Sequence, residues 1–171
     1  MRALFTLIGT TAVLAGLLAG PSANAAPPGA ASAVAGPARA STAALMERDV
    51  VTLINRARAR KGCVGLRVLS SLQNSSGRHD ALMARARRLS HRLPGEPTLR
   101  NRVSAAGYTN ARMLGEVLAA GPTTPASAVR KWMNSSTHRA LLLDCRFRAV
   151  GAGYALSADG NRWWTIDLGR R

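Results

Sequence analysis

Ala149-Val150-Gly151-Ala152-Gly153-Tyr154-Ala155-Leu156 and Arg162-Trp163-Trp164-Thr165-Ile166-Asp167-Leu168 lie on either side of the dipeptide Asp159-Gly160. Both runs are built from β-branched, aromatic and small residues, and Asp-Gly is a strong two-residue hairpin signal, because both central positions of such a turn need positive φ. A third run, Met113 to Ala119, has the same strand character. Strands therefore concentrate late in the chain and pair through a hairpin rather than through βαβ repeats, which predicts an α+β fold with an antiparallel sheet.

The remainder reads as helix. Leu45, Met46, Val50, Leu53, Ile54 and Ala57 form one helical stripe, with Ser41 or Thr42 as the cap and Gly62 as the stop. Ser71 is placed to cap a second helix that buries Leu72, His79, Leu82, Met83, Ala86 and Leu89, with Arg78, Arg85, Arg87 and Arg88 on its other faces. Thr98 opens a third, with Leu99, Val103 and Ala106 inward and Gly107 closing it. Thr124-Pro125 is a cap followed by Pro at the first helical position, starting a helix through Trp132. His138 to Leu143 reads as a short last helix.

The ends of the chain have a different composition. Met1-Arg2, the apolar stretch Ala3 to Gly20, Pro21 and the small-x-small tripeptide Ala23-Asn24-Ala25 make residues 1–25 a secretory signal, so the mature protein is expected outside the cytoplasm. Residues 26–44 are Ala, Pro, Gly and Ser with little to bury, and are expected to form a flexible leader. The folded domain is then 45–171, large enough to bury about two-thirds of its unfolded surface. Within it, Cys63 and Cys145 are the only cysteines, and in an exported protein such a pair reads as a disulfide.

The 171 residues carry 24 Lys+Arg against 8 Asp+Glu, a formal charge of +16. All but Lys61 and Lys131 of these cations are arginine, a skew that codon usage alone explains in so alanine-rich a chain, though the charge draws polyanions at low salt whatever its origin. Aromatics are only 4%, too few for a base-stacking surface, and with the export signal this excludes nucleic acid as the partner. EF-hand, phosphate-loop, HExxH and GxSxG signatures are absent.

An ordered set of blocks is more specific than any of these features. Val51 to Arg58 (Val-Thr-Leu-Ile-Asn-Arg-Ala-Arg), Leu89-Ser90-His91, Ala106-Gly107-Tyr108, Gly115-Glu116, Trp132 to Arg139, Val150 to Gly153 and Trp164 to Gly169 resemble, in order and spacing, a bacterial CAP-superfamily domain (cysteine-rich secretory protein, antigen, pathogenesis-related). The resemblance implies an α-β-α sandwich with a three-stranded antiparallel sheet between helical layers, and a surface cleft holding two histidines and two acids. His91, Glu116 and His138 match three of those positions; the second acid falls at Ser135. Two imidazoles and a carboxylate are also the donor set of an open zinc site, so His91, His138 and Glu116 are the candidate ligands of a divalent metal, with no cofactor required.

His79 reads instead as a core-edge histidine, and Asn55 and Arg58 as structural hydrogen-bonders to a neighbouring loop. Ser135 and Ser136 lack an oriented base and an oxyanion motif, so a serine nucleophile is not expected. Val117, Leu141 and Ile166 stand where the family has polar residues, which predicts a drier cleft without inherited catalysis. The expected function is non-enzymatic: a secreted monomer binding a small apolar, lipid-like or cell-envelope ligand in or near the cleft, touching membranes only peripherally. Alternatives are a metal-dependent hydrolase, and a cationic binder of anionic wall polymers or membranes through Arg56, Arg58, Arg60, Lys61 and the Arg85-Arg87-Arg88 cluster.

Overall fold

Ser41 turns the chain into helix α1 (Thr42–Arg60) by accepting the Ala44 amide on its Oγ at 3.2 Å. A computed structural model describes residues 41–171; the signal segment and most of the leader lie outside the described residues. The last residues of the expected leader, 42–44, belong to α1, because the cap satisfies an amide that a flexible segment would leave to water.

After α1 come β1 (Arg67–Val68), α2 (Ser70–Ala86), α3 (Leu99–Ala105), β2 (Met113–Ala120), α4 (Pro125–Asn134), α5 (Ser136–Leu142), β3 (Ala149–Leu156) and β4 (Arg162–Arg170). The hairpin forms, but through the three-residue loop Ala158-Asp159-Gly160 rather than a two-residue turn: the Ser157 amide donates to Asn161 O and the Gly160 amide to Ser157 O, and of the Asp-Gly pair only Gly160 is left-handed, at φ 79°. Thr98 caps α3, and Thr124 makes a full capping box with Ser127 at the start of α4. Ser71 does not cap α2, which begins one residue earlier and has no side-chain cap. Arg87 ends α2 in the left-handed region, its amide returning to Met83 O, so Leu89 lies beyond the helix and is 47% exposed rather than buried.

β3, β4 and β2 form the expected antiparallel sheet with β4 in the middle. A fourth strand, β1, is added parallel to β3, giving the order β1-β3-β4-β2. At two residues it is too short to show any periodicity in the sequence. Beyond β1 the outer edge of β3 is covered by side chains. The Ala152 amide donates to Gln73 Oε1 at 3.0 Å, the Tyr154 amide to Glu47 Oε1 at 3.2 Å, and Gln73 Nε2 ties the two together at 2.7 Å from Glu47 Oε2. An edge that would otherwise present bare amides is thereby closed.

Helices cover both faces of the sheet. On one side α1, α4 and α5 bury Ile54, Trp132 and Leu142 against Val117, Val150 and Ile166. All three buried tryptophan amines are satisfied, Trp132 Nε1 on Leu118 O at 2.9 Å, Trp164 Nε1 on Pro122 O at 2.8 Å and, on the other face, Trp163 Nε1 on Ser157 Oγ at 3.0 Å. On the other side α2 and α3 form two smaller apolar clusters, one around Met83, Leu118 and Trp163, the other around Leu72, Val103 and Tyr108.

Arg58 is fully buried. Its guanidinium donates to the carbonyls of Val64, Leu142, Asp144 and Phe147 at 2.7–3.3 Å, joining the end of α1 to the α5–β3 connection. The structural reading of Arg58 therefore stands, and its inclusion in the basic surface does not. Asn55 plays the expected part too: its side chain pairs with both backbone groups of Leu66, at 2.8 and 3.1 Å. Cys63 and Cys145 are disulfide-bonded across 82 residues of sequence with Cα atoms 5.0 Å apart, on the same connection that Arg58 holds. Closing a loop of that length constrains the unfolded chain by about 2–4 kcal/mol.

Candidate functional site

Glu116 sits in the middle of β2 with its side chain on the α2 and α3 side of the sheet, and almost none of it reaches solvent. A buried carboxylate needs partners, and three elements supply them. His91, from the connection after α2, donates from Nδ1 to Glu116 Oε1 at 2.7 Å. Arg102, on α3, forms a short charge-assisted contact from Nη2 to Glu116 Oε2. Arg102 Nη1 also donates to the His91 carbonyl at 2.9 Å, so the arginine fixes both the acid and the histidine's backbone.

Below this layer the network continues. His79 is fully buried, with Nδ1 2.6 Å from Glu96 Oε1 and Nε2 3.9 Å from Glu116 Oε2. The core-edge reading of His79 thus gives way to a place beneath the site, set by α2 lying directly on the sheet. Glu96 in turn accepts the Leu93 amide at 2.9 Å and stands 3.5 Å from Arg102 Nη1. Asp167 is the cross-strand partner of Glu116 on β4. Burial, and then the negative charge of Glu116, push its carboxyl well above the usual range. Asp80, hydrogen-bonded by Thr165 Oγ1 at 2.7 Å, is likewise pushed up, to about 8, by burial.

Of the sequence-derived site residues, His91 and Glu116 meet directly. His138, on α5, hydrogen-bonds to neither, and its pKa is lowered by burial and then by the charges of His91 and Lys131. Ser135 caps α5, its Oγ facing the His138 amide at 3.5 Å rather than the imidazole. The arrangement does not fit His91, Glu116 and His138 as three ligands of one metal: both oxygens of Glu116 are already engaged, and among the described residues no three His, Cys, Asp or Glu side chains are arranged to hold a metal ion. Glu116 instead orients the His91 ring, leaving Nε2 as its free edge.

Val117 and Ile166 do not dry the cleft. They pair across β2 and β4 and point into the opposite core, where Leu141 also packs. Glu96, Arg102, Asp167 and Asp80 went unread in the sequence. Thr165 and Asp167 carry a usable signal, alternating with apolar Trp164, Ile166 and Leu168 and so facing the other side of the sheet. Glu96 and Arg102 carry none.

The two histidines should titrate in a definite order. The hydrogen bond that His91 donates to Glu116 raises its pKa above the usual 6.5, against a smaller opposing effect of burial, whereas His138 is lowered. His91 thus stabilises the fold below its ordinary pKa, and that contribution fades as pH rises through the raised value. His138 does the reverse, contributing when neutral and losing that contribution as pH falls. Ring-proton chemical shifts should show His91 titrating at the higher pH, and Glu116→Gln should bring it back towards 6.5. An unchanged His91 titration in that variant would contradict the contact.

Residues 51–168 match the family model of the cysteine-rich secretory protein family, CAP. The Bacillus subtilis (strain 168) uncharacterized protein YkwD is 30% identical over 132 residues, covering 76% of this chain and 49% of its own length, so the chain spans about half of that relative. Among solved structures, an extracellular protein containing an SCP domain from Bacillus anthracis superposes with a TM-score of 0.68 at 24% identity, over 75% of this chain and 41% of that one. An outer surface protein of Borrelia burgdorferi gives 0.65 at 19% identity, over 72% of this chain and 91% of that one. The fold of both is the layered one described above. Among the described residues no helix is long and apolar enough to cross a membrane. With its match running from α1 through β4 and the His91–Glu116 pair at its centre, the chain belongs to the CAP, or cysteine-rich secretory protein, family.

Proposed function

We propose that this is a secreted, non-enzymatic binding domain that takes a small lipid-like or cell-envelope ligand at the face formed by His91 and His138. The observation that carries the reading is the state of Glu116. Its charge is matched by Arg102 and its other oxygen is occupied by His91 Nδ1–H, so the site has no free carboxylate to act as a base. No serine is oriented by an imidazole either, since Ser135 serves as a helix cap. What such a site offers a ligand is the His91 ring held in orientation by Glu116, with His138 as a second imidazole, which suits hydrogen bonding to a polar headgroup. Secretion is supported by the signal-like segment 1–25 and by relatives described as extracellular or outer-surface proteins.

Native mass spectrometry of the protein recovered from culture medium tests this. An organic adduct is expected that survives chelator and is lost when His91 and His138 are both replaced by Ala. Turnover of a model ester or peptide that is abolished by chelator would instead establish the hydrolase reading.

A further inference from the structure

We infer that the end of α2 and the β3–β4 hairpin form a docking surface for an anionic phospholipid membrane, in addition to the imidazole site. Burial divides the charges of this chain unevenly. All eight acids lie in the described part, and four of them, Asp80, Glu96, Glu116 and Asp167, are buried. Of the arginines and lysines in the same part only Arg58 and Arg102 are buried. The surface is therefore more cationic than the net charge alone suggests, and codon usage does not account for which charges are withdrawn.

One region combines this charge with apolar surface. A groove of about 320 Å³ between α2 and the hairpin is floored by Ala81, Ala84, Ala155 and Leu156 and rimmed by Arg85 and Arg87. Leu156, at 57% exposed, and Leu89, just past α2, are among the few large apolar side chains on the surface. Arg85, Arg87 and Arg88 crowd the C-terminal end of α2, where the left-handed turn at Arg87 ends the helix. Among the described residues the only acid paired with any of them is Asp159, 3.7 Å from Arg87 and itself exposed.

A helix dipole alone would account for one or two cations here. It does not account for an exposed leucine in an alanine-floored groove. Phosphate headgroups would meet the arginine rim while Leu156 enters the interfacial layer, the arrangement by which peripheral proteins combine charge with a few apolar contacts. A wall polymer would use the arginines but has no use for Leu156.

Flotation with vesicles of phosphatidylglycerol mixed with phosphatidylcholine decides the matter, run at about 0.15 M salt to screen diffuse attraction. Binding is expected to the mixture and not to phosphatidylcholine alone. The triple variant Arg85→Gln, Arg87→Asn, Arg88→Gln should weaken it on the order of a hundredfold, at about fivefold per arginine. Asn is chosen at position 87 because it tolerates the left-handed backbone. Leu156→Gln should weaken binding severalfold, and a matched triple at the other end of β3, Arg56→Gln, Arg60→Gln, Lys61→Gln, should change it by less than about threefold. Equal losses in the two triples, or no binding at this salt, would overturn the inference in favour of diffuse charge. Equal binding to soluble poly(glycerol phosphate) with no effect of Leu156→Gln would overturn it in favour of a wall polymer.

Discussion

Gly151→Ala should leave little or no stably folded protein. The residue lies on β3 directly under α2, and a Cβ there would stand 2.1 Å from the Leu72 carbonyl carbon and 2.3 Å from the Gln73 amide nitrogen. Those are backbone atoms of a helix held on both sides, so no rotamer change relieves the clash and α2 itself has to lift from the sheet. Overpacking of ordinary core positions costs about 1–3 kcal/mol, and this case should exceed it. A small domain has roughly 5–15 kcal/mol in total. The lifting would also pull His79 away from Glu96 and open the polar layer beneath Glu116. Gly77, in the same helix with open space around its Cβ, is the control: Gly77→Ala should be neutral or stabilise by about 0.5–1 kcal/mol. Urea unfolding monitored by tryptophan fluorescence measures both, and Gly151→Ala within about 0.5 kcal/mol of the parent would mean that α2 does not lie against β3 as described.

Arg58→Met should be nearly as damaging, at about 3–5 kcal/mol. Methionine keeps much of the buried volume but leaves the carbonyls of Val64 and Leu142 without a donor and removes one of the donors to those of Asp144 and Phe147. Arg58→Lys should recover less than half of the loss, because an ammonium has no planar fork with which to reach carbonyls on two separate connections. The same unfolding curves, taken with the Cys63–Cys145 bridge intact, provide the measurement. A full rescue by lysine would show that charge alone, rather than the geometry of the fork, holds the α5–β3 connection.

Much of this protein was legible in short stretches of sequence because the physics that decides those features is short-range. A cap acts over three residues, as Thr124 does on Ser127, and the hairpin turn depends on the positive φ of Gly160. The positions of α1, α4, α5 and the hairpin follow from such signals, and His91 and Glu116 were found through the blocks that contain them. Where a local signal was weak, the boundary moved: Ser71 offered a cap that α2 did not use, and Leu89 fell outside the helix because Arg87 ended it two residues earlier.

Sequence by itself determined the existence of the helices, the caps of α1, α3 and α4, the antiparallel hairpin, the cysteine pair and, through the order of its blocks, the family. Only the tertiary structure decided what the site is. Strand register sets Asp167 against Glu116, the close seating of α2 on Gly151 and Gly153 puts His79 under that pair, and α3 carries Arg102 across to neutralise it. These residues lie far apart in the chain, and the free energy of a buried charge depends on what surrounds it in space rather than on its neighbours in sequence. The same reason sends Val117 and Ile166 into the core instead of the cleft, and withdraws half the acids from a surface that keeps nearly all its arginines.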